Sequence, residues 1–203
     1  MSKIYFMKKG LIIIISGPSG VGKGTIRKQI MKDLSLNLWY SVSMTTRSMR
    51  PGEVNGKDYY FVSEEEFNRN IENGNLLEHA TFVGHQYGTP LDKLQAMREE
   101  GKNVILEIDV NGTEQVLKKL AKECPVTFFI MPPNFACLES RIRGRSTENE
   151  EVIQQRLAKA SREMELKSQY EYVIYNDDVT RAAIEIENII RAEIRARDKK
   201  TVL

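Results

Sequence analysis

Residues 11–25 read LIIIISGPSGVGKGT, and the fold follows from them. Leu11–Ile15 is uniformly apolar, the composition of a strand buried on both faces, which requires helices on either side of its sheet. Ser16 to Thr25 then turns the chain. Gly17, Gly20 and Gly22 let the backbone bend around an anion and aim N–H groups inward, and the helix expected from Lys23 adds positive partial charge at its N-terminus. The Lys23 ammonium reaches the outer oxygens of such an anion. Strand, glycine loop and helix in that order predict a phosphate-binding loop formed by Gly17, Pro18, Ser19, Gly20, Val21, Gly22, Lys23, Gly24 and Thr25. The strict motif has Ser or Thr directly after the lysine to ligate Mg²⁺. Here Gly24 intervenes and Thr25 carries the hydroxyl, so a metal would be held mainly by phosphates and water.

Outward from this loop, apolar runs and helical patterns alternate. A helix is expected from about Lys23 to Leu34. Strands are expected at Val104–Asp109, Val126–Met131 and Tyr172–Tyr175, the last followed by a helical stripe of Val179, Ala183, Ile186, Ile190 and Ile194. Strands alternating with helices predict an α/β fold with a parallel sheet flanked by helices. Residues 41–90 differ, being rich in Gly, Thr, Tyr and Arg, with strands expected at Tyr59–Val62 and Leu76–Phe82. Ser63 and Glu66 have capping-box spacing and Gly74 stands at a helix stop; Pro90 opens a further helix that Gly101 ends. Residues 41–90 thus read as a mostly β insertion in a doubly wound domain, and Gly144 to Glu150 is a second interruption, polar and loop-like.

The 203 residues suffice for one such domain. Hydrophobic residues at 41% and charged residues at 29% exclude wholesale disorder, and a net charge of +2 is too small for a protein that coats nucleic acid. No apolar run near the start approaches the ~20 residues of a membrane span. Cys124 and Cys137 are too few and too far apart for a disulfide scaffold or zinc site, so they are expected as buried packing residues of a reduced, cytoplasmic protein.

A second anion site is suggested by residues 41–62, SVSMTTRSMRPGEVNGKDYYFV. Arg47 and Arg50 lie three apart in a broken stretch, and with the hydroxyls of Ser43, Thr46 and Tyr59 they suit a second phosphate. Two phosphate sites make the chain a candidate phosphoryl transferase. Glu107 and Asp109, two apart in an expected strand, point to the same face near the phosphate loop.

SGPSGVGKGT, SVSMTTRSMRPGEVNGKDYYF, EHATFVGHQYGT (78–89), LEIDVNG (106–112) and IRGRSTENEEVIQQRL (142–157) together resemble the guanylate kinase family in order and spacing, from about Leu11 to Asn188. The resemblance implies one domain with a core of about 1–40, 91–140 and 157–203, a mostly β insertion of about 41–90 that binds a nucleoside monophosphate, a short lid of about 141–156, and transfer of a phosphoryl group from ATP to GMP with Mg²⁺. Carried over by position, Gly17 to Thr25 and Asn176 would bind ATP, with Asn176 near its nucleoside. Ser43, Arg47, Arg50, Tyr59 and Tyr87 would hold the GMP phosphate, with Glu78 and Thr89 facing guanine and Asp109 close by. Arg141, Arg145 and Arg156 would join Lys23 in catalysis. Thr25 and Glu107 are the implied metal residues, Glu107 through water, with the division of work between Glu107 and Asp109 open. Asn111 stands where many relatives carry Gln and is given no role. dGMP is left open as an alternative acceptor.

The chemistry agrees with that implication. Guanine presents its ring N–H beside its exocyclic amine, so one carboxylate accepts both, whereas adenine opposes a lone pair to Glu78; a site left with unpaired polar groups can discriminate by about 10⁴–10⁵. A phosphate acceptor is already anionic, so no general base is needed and neither His79 nor His85 is assigned to catalysis. Two other readings stand beside this one: a binding module of the kind found in scaffold proteins, and a related kinase acting on another nucleotide or a sugar phosphate.

Overall fold

The computed structural model describes residues 8–82, 84–144 and 150–201. Ile12–Ser16 forms β1, buried at every position, as its apolar run requires. Helix α1 spans Lys23–Ile30 and ends four residues before the expected Leu34. The reason is Asp33, whose carboxylate accepts from the Ser35 N–H at 3.0 Å and hydroxyl at 2.6 Å, turning the chain into a 3₁₀ turn at Leu34–Leu36. Leu34 is accordingly 88% exposed.

The remaining strands are β2 (Leu38–Tyr40), β3 (Met44–Thr45), β4 (Tyr60–Phe61), β5 (Leu76–Phe82), β6 (His85–Pro90), β7 (Asn103–Glu107), β8 (Val126–Met131) and β9 (Tyr172–Tyr175). The helices are α2 (Glu64–Glu72), α3 (Leu91–Glu99), α4 (Val110–Leu120), α5 (Phe135–Arg143), α6 (Glu150–Glu165) and α7 (Val179–Thr201). One sheet runs β2-β7-β1-β8-β9, with β2/β7, β1/β8 and β8/β9 paired in parallel; the other runs β4-β3-β6-β5 and is mainly antiparallel. The fold is therefore α/β with a parallel central sheet flanked by helices. Among the described residues no helix is long and apolar enough to cross a membrane.

The chain divides into two compact units. The first comprises the chain before Ile13, Leu38–Leu106 and Asn111–Pro125. It holds the four-stranded sheet, covered by α2, whose Phe67 is fully buried. Ser63 caps α2 by accepting the Glu66 N–H at 3.1 Å, as the spacing predicts. Gly88 in β6 has no room for a Cβ, which would lie 2.9 Å from Leu76 and 3.1 Å from the Phe67 ring. Between Leu76 and His79 the register of β5 against β6 shifts by a β-bulge, and alternation gives way to three consecutive buried residues, Leu76, Leu77 and Glu78.

The second unit comprises Ile13–Asn37, Glu107–Val110 and Val126–Leu203. Its core joins Ile13–Ile15 with Phe128, Phe129 and Ile130 of β8. Ile26 and Ile30 of α1 are buried together with Ala182, Ala183, Ile186 and Ile190 of α7, the helix against which α1 packs. Val179 and Ile194, expected in that stripe, are only half-buried.

Two expectations are corrected. Cys124 is exposed and Cys137 half-buried rather than packed in the core. Burial begins only at Pro125, and Cys124 sits before it in a left-handed turn (φ 45°); Cys137 lies in the first turn of α5, its N–H accepted by the Asn134 cap at 2.8 Å. Strand β7 stops at Glu107, so Asp109 lies beyond the strand, in the short connection to α4.

Candidate active site

The residues singled out by sequence fall into two sets, one in each unit. In the second unit the phosphate loop has the anticipated backbone, with Gly17, Gly20 and Gly22 at φ 140°, 84° and 103°. A Cβ on Gly17 would meet the Ile130 carbonyl oxygen at 2.4 Å, and one on Gly22 the Asn176 amide nitrogen at 2.6 Å. Gly22 caps α1 with no side-chain hydrogen bond, so the helix N-terminus keeps N–H groups available to an anion. Lys23 folds over the loop and donates to the Gly17 carbonyl at 2.6 Å and that of Pro18 at 3.1 Å. Burial lowers its pKa from the ordinary lysine value, while the nearby carboxylates of Glu107, Glu163 and Asp109 pull it back up.

Other side chains brace the loop. Arg156 donates to the Ser19 hydroxyl at 2.9 Å. Arg141 donates to the carbonyls of Val21 at 3.1 Å and Asn176 at 3.2 Å, and the Asn176 amide donates to Val21 at 2.7 Å. Helix α5 ends at Arg143, and Arg145 lies outside the described residues.

Sequence reasoning missed three residues here. Arg27 donates to Glu107 Oε2 at 2.9 Å, and Lys159 reaches Asp109 at 3.3 Å and Glu163 at 3.5 Å. Glu163 is only 4% exposed, and burial raises its pKa above the ordinary carboxylate value despite the attraction of Lys159 and Lys23. Helical spacing was the available signal: Arg27 lies four after Lys23, Lys159 three after Arg156, and Glu163 four after Lys159. Thr25 is exposed, and a Cβ at Gly24 would stand 3.5 and 3.7 Å from the two Glu107 carboxylate oxygens. An oxygen donor therefore borders the space where the strict motif carries a hydroxyl, which fits a hard divalent cation. Among the described residues no group of three or more His, Cys, Asp or Glu side chains could hold a metal alone.

In the first unit Arg47 is held by Glu53, at 2.7 and 3.0 Å from Nη2, and by the Ser48 carbonyl at 2.6 Å from Nη1. Its guanidinium lies 5.5 Å from the Tyr59 ring centroid and 5.6 Å from that of Phe61, and Tyr87 meets Tyr59 edge-on at 5.8 Å. Burial opposes the charges of Arg47 and Glu53, but their hydrogen bonds and mutual attraction prevail, raising the arginine pKa and lowering that of the acid. The Arg50 N–H also donates to Glu53, at 2.8 Å, while the Arg50 side chain is exposed. Glu53, three residues after Arg50, is thus a further site residue that composition alone did not mark. Ser43, directly before β3, is buried.

Glu78 and Thr89 are joined in the same sheet. The bulge in β5 sets Glu78 against β6, where the Thr89 hydroxyl donates to its Oε1 at 2.6 Å; their exposures are 4% and 1%. A solvent-facing role for Glu78 is excluded. Asp109, by contrast, belongs to the second unit with Lys159. His79 lies beside Glu78 but is exposed, its backbone bridged by the Gln115 amide at 3.2 and 2.8 Å.

This arrangement offers one anion cradle with a lysine, and one arginine–tyrosine cluster beside a buried acid. The chain is similar to known proteins over most of its length. The guanylate kinase family model matches residues 9–193. A guanylate kinase of Lactiplantibacillus plantarum is 50% identical over 92% of this chain and 89% of its own length. A guanylate kinase of Mycoplasma capricolum is 52% identical over 92% of this chain, which spans only 62% of that longer relative. The crystal structure of guanylate kinase from Anaplasma phagocytophilum superposes with a TM-score of 0.73 at 36% identity, covering 92% of this chain and 87% of the other. With the family pattern running through nearly its whole described length, the chain belongs to the guanylate kinase family.

Proposed function

We infer that this chain transfers the γ-phosphoryl group of ATP to GMP, giving ADP and GDP. The observation that carries the reading is the Glu78 carboxylate, 4% exposed, tied to Thr89 and set in the four-stranded sheet whose strand β3 leads into Arg47. A buried acid is costly unless its acceptor capacity is used, and the adjacent donors of guanine use it. Arg47, Arg50, Tyr59, Tyr87 and Ser43 bind the GMP phosphate, and Asp109 lies near the base. The loop from Gly17 to Thr25 binds the ATP phosphates, with Lys23 on their outer oxygens. Arg141, Arg145 and Arg156 neutralise the charge that spreads over the transferred group.

Glu107, with Thr25, is suited to hold Mg²⁺ through water, and the ion neutralises phosphate charge when bound. The acceptor oxygen is anionic, so these side chains act by orientation and electrostatics and move no proton. The binding-module alternative is disfavoured by the intact Lys23 cradle, and Cys124 and Cys137, which form no disulfide, suit a reducing, cytoplasmic setting. The test is a coupled ADP-release assay with GMP, dGMP, AMP, UMP or no acceptor. Release with GMP well above AMP, UMP and the blank is expected; release that ignores the acceptor, or none at all, would overturn the reading.

A further inference from the structure

The Asn176 side chain is 2% exposed, at the C-terminal end of β9. Its backbone N–H donates to the Met131 carbonyl at 2.7 Å, continuing the β8/β9 ladder, and its own carbonyl accepts from Arg141. The side-chain nitrogen donates to the Val21 carbonyl at 2.7 Å, while Oδ1 is buried with no hydrogen-bond partner. Val21 thus accepts from two donors, Asn176 and Arg141, which fill both its lone pairs. An amide placed only for packing would be satisfied at both ends. This one spends its donor on the phosphate loop.

A trans peptide is planar, with its C=O and the following N–H pointing in opposite directions. Fixing the Val21 carbonyl on one side therefore fixes the Gly22 N–H on the other. Gly22, at φ 103°, has no Cβ to resist this turn, and the Asn176 amide occupies the space where one would stand.

We propose that Asn176 is a positioning residue of the phosphate loop: with Arg141 it clamps the Val21 carbonyl and so aims the Gly22 N–H at a bound polyphosphate, independently of the base attached. The proposal rests on the reading of this loop as the ATP phosphate cradle. It changes what the residue is expected to do, since a neighbour of the nucleoside would sense the base, whereas a clamp senses only phosphate.

The experiment is calorimetric titration of wild type, Asn176→Ala and Asn176→Asp with ADP, inorganic tripolyphosphate and GMP, far below the melting temperature. Asn176→Ala weakens ADP and tripolyphosphate by the same factor, about five- to tenfold for one lost hydrogen bond, and leaves GMP affinity unchanged. Asn176→Asp weakens both more than alanine does, because it turns a carboxylate oxygen on the Val21 carbonyl. Should either variant fail to fold, Asn176→Ser is measured in its place, with an equal loss for ADP and tripolyphosphate again expected. Loss of ADP affinity with tripolyphosphate unchanged, or no loss of either, overturns the clamp while leaving the kinase reading intact. Wild-type protein that binds neither ADP nor tripolyphosphate overturns both.

Discussion

In the proposed reading, Glu78 selects the base through its charge as much as its shape. Its Oε1 takes the Thr89 hydroxyl at 2.6 Å, and at 4% exposure the remaining capacity of the carboxylate is worth most when a ligand supplies donors. Gln in its place keeps the volume but turns an amide N–H toward a donor. Hydrogen bonds to charged groups are worth about 1.5–3 kcal/mol, so Glu78→Gln should raise KM for GMP by about 10- to 100-fold and leave KM for ATP nearly unchanged. Steady-state kinetics with each substrate varied in turn checks this, and equal effects on both would remove the account of specificity. The sequence LLEHATF gives no hint of this burial, because its alternation breaks at a bulge that only pairing with β6 creates. Without the family pattern around it, Glu78 reads as a surface strand residue.

Elements differ in how much of themselves they announce. Helix α2 was legible because both its ends are local chemistry: Ser63 accepts the Glu66 N–H at 3.1 Å, and Gly74 ends the segment at φ 67°. Ser63→Ala should cost about 1 kcal/mol of stability, read as a lower melting temperature or denaturation midpoint with the slope unchanged. Strands β8 and β9 were equally plain as apolar runs. Strands β2, β3 and β6 were not, since strands this short or this broken by Gly and polar residues draw their stability from neighbours distant in sequence rather than from periodicity. The same holds at the site. Arg47 and the glycines of the loop stand out by type and spacing, but Arg27, Lys159, Glu163 and Glu53 look like ordinary surface charges until the fold brings them against Glu107, Asp109 and Arg47.

For the molecule as a whole, the small net charge of +2 hides a concentration of opposite charges around Lys23. Glu163 is the costly member, because burial raises its pKa above the ordinary carboxyl value of 4.5 that the unfolded chain shows. The sign follows: with the folded value raised, its contribution to stability is fully present below the unfolded pKa and is lost as pH rises through the folded one. Glu163→Gln, neutral at every pH, should therefore gain in melting temperature relative to wild type at about pH 7 and gain less at about pH 4. A difference independent of pH would contradict this assignment.

The central claim is that one phosphoryl group passes from ATP to GMP on this chain, and ³¹P NMR of the purified protein with both nucleotides and Mg²⁺ observes that group directly. The account predicts that the ATP γ and GMP resonances decline together as the β-phosphates of ADP and GDP rise in equal amounts. Decline of ATP with only inorganic phosphate appearing, or an undiminished GMP signal, would contradict it.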